Sequence, residues 1–127
     1  MTKDGGYKLR IDAQQKMTGD WFWAEYGTFI VGSEVANYQL TVEKFSGNTG
    51  DKLSYHSGAM FSTYDRDNDN YINSMYNNSC AVLTKSGFWY FNCGSFLANG
   101  AGNYFQWSGL PDKNPQLQEC RMSLVCL

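Results

Sequence analysis

From Asp65 to Ser79 the chain is almost entirely Asp, Asn, Ser and Tyr. The stretch has no period that could aim apolar side chains into a core. Something other than packing must hold it if it is ordered. The segment before it reads differently. Tyr7, Leu9 and Ile11 alternate with Lys8, Arg10 and Asp12, the period-2 pattern of a half-buried strand. Trp21 to Tyr26 follows the turn signal Gly19-Asp20, Thr28 to Val31 continues it, and Gly32-Ser33-Glu34 breaks the pattern. Tyr38, Leu40 and Val42 then share one face of a further strand. Strands at this spacing predict an antiparallel sheet. Ser46 to Asp51 reads as a loop. Helical signal is weak throughout, with one turn expected over Ser33 to Asn37. The tail from Leu117 to Leu127 reads as a last strand with Met122, Leu124 and Cys126 on one face.

A chain of 127 residues accommodates one domain. Aromatic residues at 17% and 13 glycines favour strands and loops over helices. Lys plus Arg is 10 against 12 for Asp plus Glu, giving a net charge of −2, so no basic surplus exists to hold a nucleic-acid backbone. No run approaches the ~18–20 apolar residues of a membrane span, and Met1 to Gly6 lacks the apolar segment of a signal peptide. Cys80, Cys93, Cys120 and Cys126 are compatible with two disulfides in three connectivities. With no Cys-x-x-Cys pair and a single histidine, His56, a structural zinc site is not expected. The same scarcity of histidine, and the absence of a Gly-x-Ser-x-Gly or His-Glu-x-x-His motif, argue against an enzyme.

Asp65, Asp67 and Asp69 form the sharpest local feature. Alternate carboxylates can turn toward a common centre when the backbone curls. Hard oxygen donors at that density suit calcium, which takes ~6–8 of them. The three carboxylates also repel, and a divalent cation removes that cost. The loop is not an EF-hand: counting from Asp65, the sixth and twelfth positions hold Asn70 and Tyr76 where Gly and Glu are required. On spacing alone a solvated Asx-rich turn is the alternative.

The loop belongs to a longer series. Gly50 to Gly58 precedes Phe61-Ser62-Thr63-Tyr64-Asp65-Arg66-Asp67-Asn68-Asp69. Cys80-Ala81-Val82, Gly87 to Cys93 and Asn99-Gly100 follow. This series resembles the C-terminal half of the fibrinogen-like domain of ficolins, tachylectins, angiopoietins, tenascins and fibrinogen. Leu9 to Asp12, Ala24 to Tyr26 and Phe29 to Glu34 resemble that family's central sheet, and the likeness runs from about Tyr7 to about Met122. It implies an α+β fold with a mostly antiparallel sheet over residues 7–45. A loop-rich lobe over 46–107 and a return strand over 108–127 complete a single partial domain spanning 1–127. The family's N-terminal third, with its first disulfide and opening strands, has no match.

The resemblance assigns a calcium ion to Asp67, Asp69 and the carbonyls of Tyr71 and Asn73, with Asp65 supporting. It pairs Cys80 with Cys93, which implies secretion, since disulfides need an oxidising compartment. In ficolin-like members a pocket beside the calcium binds acetyl groups, and a cis peptide bond before the second cysteine turns backbone amides toward the ligand. Here that bond is Asn92–Cys93. The matching pocket positions are Thr84, Phe88, Asn92, Cys93, Gly94, Ser95 and Tyr104. The implied function is extracellular, calcium-dependent recognition of acetylated glycans. The alternative is a protein–protein module that binds a receptor, and a homo-oligomer would form through regions outside this chain. Four features depart from the family: Gly94 replaces the usual His, Thr84 stands where an aromatic is common, Asn70 to Ser79 contains extra residues between Asp69 and Cys80, and the segment between Gly100 and Trp107 is short. Cys120 and Cys126 have no counterpart. On an extended strand they would lie about twenty ångströms apart, at ~3.3 Å per residue.

Other residues carry less. His56 is expected to be structural, Trp89 and Trp107 to be core residues, and Asn77-Asn78-Ser79 is a glycosylation sequon at Asn77. Trp21 and Trp23 could offer a sugar-stacking surface. Glu25 and Glu34 have the chemistry of an acid/base pair but no spacing that argues for one.

Overall fold

The computed structural model describes residues 2–72 and 78–127. Alternation in the sequence becomes a four-stranded antiparallel sheet. It is built from β1 (Tyr7–Gln15), β2 (Trp21–Val31), β3 (Leu40–Gly47) and β6 (Leu117–Cys126), in the order β3-β2-β1-β6. Between β3 and β6 the chain forms a lobe that holds the short helix α1 (Cys80–Thr84) and a two-stranded ribbon of β4 (Phe96–Leu97) and β5 (Gln106–Trp107). The tail joins the sheet as expected, with Leu9 opposite Leu124 and Ile11 opposite Met122.

Leu9, Ile11, Ala13 and Gln15 of β1 point into the core and are buried. The opposite face carries charge: Lys8 Nζ lies 3.1 Å from Glu25, Arg10 contacts Glu25 at 3.2 Å and Asp12 at 2.8 Å, and the Arg10 guanidinium sits 4.5 Å from the Trp23 ring centre. The face toward the core changes parity at Gly27 and its neighbour Lys44, whose φ is +61°. Tyr26 therefore opposes Phe45 and Phe29 opposes Val42, so both pairs face inward. This kink lets β3 run on to Gly47, past the loop boundary expected near Ser46. Tyr38, expected on that strand, instead lies in a turn with φ +55° and is exposed. The single turn expected near Ser33 is a short 3-10 helix over Glu34–Ala36.

The lobe closes the core with aromatic rings. Phe96 and Trp107 pair across the ribbon with centroids 4.4 Å apart, and Phe88 meets His56, Trp89, Tyr90 and Phe96 edge-on. Trp107 is buried as expected, and its indole N–H donates to the Gly50 carbonyl. Trp89 is half-buried against the core. Tyr26 joins the layers: its hydroxyl donates to Asp51 at 2.8 Å and accepts from the Leu53 amide at 3.2 Å.

The helix α1 carries no sequence signal beyond its ends. Ser79 caps it by accepting from the Val82 amide, and Lys85 ends it in the left-handed region. Its first residue, Cys80, is bonded to Cys93, with Cα atoms 5.1 Å apart. Cys120 and Cys126 are unpaired on β6. Among the described residues no helix is long and apolar enough to cross a membrane.

Candidate functional site

The acidic loop is held by its own polar atoms. Thr63 and Arg66 exchange two backbone hydrogen bonds, and the Arg66 guanidinium donates to Asn37 Oδ1 at 2.7 Å. Asn68 is pinned from both ends: its amide donates to Ser62 Oγ, and its side-chain nitrogen to the Phe61 carbonyl. Asp65 is turned back to accept from Thr63 Oγ1 at 2.7 Å, which suits a supporting position.

Asp67 and Asp69 remain side by side. Asp67 Oδ1 accepts from the Asp69 amide at 3.2 Å. The two oxygens of Asp69 accept from the amides of Tyr71 (2.8 Å) and Cys80 (2.9 Å), so this carboxylate ties the acidic loop to α1 and the disulfide. Burial raises the Asp69 carboxyl above its ordinary range; the two amide bonds oppose this, and the Asp67 charge adds to it. A half-buried carboxylate raised in this way beside a second one is stabilised by a nearby cation. Asp67 and Asp69 have the oxygen chemistry a hard ion prefers, and among the described residues no group of three or more acidic, histidine or cysteine side chains converges on a metal-sized site. Asn73, the fourth expected ligand, and Asn77, the sequon asparagine, lie outside the described residues.

The pocket positions taken from the resemblance do not form one open site. Thr84 is fully buried, with its hydroxyl spent on the Cys80 carbonyl, Ser86 and the Tyr90 hydroxyl. Phe88 is sealed among aromatic rings at 1% exposure. Neither has a face toward solvent: Ser86 and Tyr90 close over Thr84, and His56, Trp89, Tyr90 and Phe96 surround Phe88. Asn92 is exposed, Cys93, Gly94 and Ser95 are half-buried, and Tyr104 is 37% exposed in a separate turn over Gly102–Tyr104. The expected cis bond before Cys93 is not found; the peptide is trans. The chain turns instead through left-handed conformations at Asn92 (φ +46°), Cys93 (φ +61°) and Gly94 (φ +119°).

Gly94 and His56 explain each other. The His56 ring is buried; its Nδ1–H donates to the Trp89 carbonyl at 2.7 Å, and its Nε2 accepts from the Ser95 and Phe96 amides at 3.2 and 3.3 Å. A Cβ on Gly94 would overlap this ring. The histidine is thus structural, as expected. Burial drives its pKa down to about 4, against the opposing bond to Trp89.

A cleft of about 330 Å³ does lie beside the acidic loop. Asn68 and Asn70 form one wall, Tyr90 and Phe91 another, and the segment from Ser57 to Met60 its floor. The sequence reading missed Phe91 and the 57–60 floor. The one available signal was the adjacency of Phe91 to the Asn92–Cys93 turn.

The family match agrees with this geometry. Residues 1–115 match the C-terminal globular domain of fibrinogen beta and gamma chains, and the chain belongs to that family as a fibrinogen-like recognition domain. It is 39% identical over 118 residues to tenascin of Mus musculus, covering 86% of this chain and 5% of that protein. It is 40% identical over 105 residues to ficolin-3 of Homo sapiens, covering 82% and 32%. Fibrinogen-like protein A of Apostichopus parvimensis is 34% identical over 135 residues, covering 98% and 45%. The chain thus spans less than half the length of these curated relatives. Among solved structures, the fibrinogen-like globe domain of human ANGPTL2 superposes with a TM-score of 0.84 at 29% identity, over 98% of this chain and 60% of that one. Lamprey fibrin D-dimer complexed with the peptide Gly-His-Arg-Pro-amide gives 0.77 at 27% identity, over 93% and 44%.

Proposed function

We propose that the chain is an extracellular, non-catalytic, lectin-like module that binds acetylated glycans or other acetylated ligands, with calcium ordering the wall of the site. The cleft between the acidic loop and Phe91 carries this reading. An acetyl methyl needs an aromatic surface and its amide needs polar partners; Phe91 and the two asparagines supply these chemistries in one place. Asp67, Asp69 and the carbonyls of Tyr71 and Asn73 would hold the ion. It would neutralise paired carboxylates and fix the loop that presents Asn68 and Asn70. Glycan attachment at Asn77 is compatible with the same extracellular setting.

A protein-binding module is the second reading. The burial of Thr84 and Phe88 and the Gly94 substitution favour it, since all three depart from an acetyl pocket. The lamprey fibrin neighbour was solved with a peptide ligand. An N-acetylglucosamine matrix separates the two. The first reading expects retention in calcium and elution by N-acetyl sugars or by chelator. A folded, calcium-responsive chain that flows through overturns it in favour of a protein receptor.

A further inference from the structure

The apolar surface beside the acidic loop does not end at the cleft. Phe91, which lines the cleft, also meets Tyr55, with ring centroids 5.3 Å apart and planes at 79°. Tyr55 is 45% and Phe91 44% exposed, and neither ring belongs to the core. Met60, on the cleft floor, is exposed as well. A lone exposed ring needs no explanation, but adjoining rings at the mouth of a cleft mark a surface kept for a ligand.

Both rings stand on rigid supports. Tyr55 lies in a 3-10 turn over Ser54–His56. The Ser54 amide donates to Asp51 Oδ1 at 3.2 Å, and the His56 amide to the Leu53 carbonyl at 2.8 Å. The next side chain, His56, is buried and bonded to the Trp89 carbonyl, and its ring meets Tyr55 edge-on at 5.6 Å. Phe91 follows Tyr90, which is buried with its hydroxyl bonded to Thr84 and to the Ser86 carbonyl. Rings already held in place lose little freedom when a ligand covers them.

Size and charge say what the pair takes. At about 330 Å³ the cleft is near the lower end of the ~300–1,000 Å³ of small-ligand sites. That suits one acetamido sugar. The next unit of a linked chain then lies outside the cleft, and Phe91 leads out to Tyr55. The C–H groups on one face of a sugar ring make that face apolar, so it packs on an aromatic ring while the hydroxyls at its rim stay in water. The side chains lining the cleft, and Tyr55, are all uncharged. Nothing there offsets the desolvation of a carboxylate or a sulfate.

We propose that Tyr55 and Phe91 form a second subsite, and that the ligand is a neutral oligosaccharide with an N-acetylated sugar in the cleft and its linked neighbour on the two rings. This rests on the acetyl-binding reading of the cleft and narrows it, from any acetylated compound to a neutral chain of two or more units. Tyr55 determines specificity here: it touches the second unit, so it selects for chain length, while the cleft selects for the acetyl group.

The test is calorimetric titration of the full chain, in buffer with calcium, against N-acetylglucosamine, its β1,4-linked dimer and N-acetylneuraminic acid. The dimer is expected to bind about tenfold tighter than the single sugar. Tyr55→Ala should remove that gain and Tyr55→Trp restore it, which a merely structural role for the ring would not do. N-acetylneuraminic acid should bind weakest of the three. A dimer no tighter than the single sugar, or a gain that survives Tyr55→Ala, overturns the second subsite while the acetyl cleft stands. N-acetylneuraminic acid bound as tightly as N-acetylglucosamine overturns the restriction to neutral sugars. A folded chain that binds none of the three overturns the acetyl reading itself, and the second subsite with it.

Discussion

Gly94 carries a strict local requirement. Its φ of +119° is a conformation that side chains rarely adopt, and its α-carbon faces the His56 ring. Gly94→Ala adds strain and displaces a buried ring that satisfies three backbone groups. A loss of about 3 kcal/mol in urea unfolding is expected. His56 itself sets a pH limit. Its folded pKa is about 4, against about 6.5 in the unfolded chain. As pH falls from 6.5 toward 4, the unfolded chain takes up a proton that the native ring refuses. Stability should therefore be full above 6.5 and decline by up to about 3 kcal/mol by pH 4, at 1.36 kcal/mol per unit. Unfolding midpoints taken across that range at fixed ionic strength check the slope; a flat profile would contradict the buried neutral ring.

At the scale of elements, α1 depends on the bonds at its ends. It is too short to stand by propensity, and its N-terminus is fixed by the Ser79 cap, the bond from the Cys80 amide to Asp69, and the disulfide. Replacing Cys80 and Cys93 together by Ala should cost about 3 kcal/mol for a loop of this size. It should also weaken calcium binding, because the residue-80 amide, no longer fixed by the bridge, would hold Asp69 less firmly; urea unfolding of the double variant checks the first and calorimetric titration with calcium the second. The strands were largely legible because Tyr7 to Asp12 and the tail alternate cleanly. The run of β3 to Gly47 was not, since its parity change depends on the Gly27–Lys44 kink, which breaks the pattern that marks a strand. Within the candidate site, the paired aspartates could be read from their spacing, and the Cys80–Cys93 bridge from the family resemblance. The closure of Thr84 and Phe88 could not, because it depends on side-chain packing that no motif marks: Thr84 is tied to Ser86 and Tyr90, and Phe88 meets His56 and Phe96.

For the whole molecule, the paired carboxylates predict that calcium raises stability. A ligand at a hundred times its dissociation constant adds about 2.7 kcal/mol to the native state, or several degrees in a chain this long. A thermal scan with calcium and with chelator should show that rise, and Asp67→Ala or Asp69→Ala should abolish it. A transition unmoved by calcium would leave the acidic loop as a polar turn and remove the basis for the calcium assignment.

The strand order also governs what can happen during synthesis. β1 precedes β6 with the whole lobe between them, yet they are neighbours: Gln15 lies opposite Leu117. Until β6 has left the ribosome, β1 can pair with β2 but not with β6. Closing so long a loop is slow. The β1–β6 pairing therefore forms only after the whole lobe has been synthesised, and until then the Leu9, Ile11 and Ala13 stripe lacks its full cover, a period in which a chaperone has a defined surface to hold.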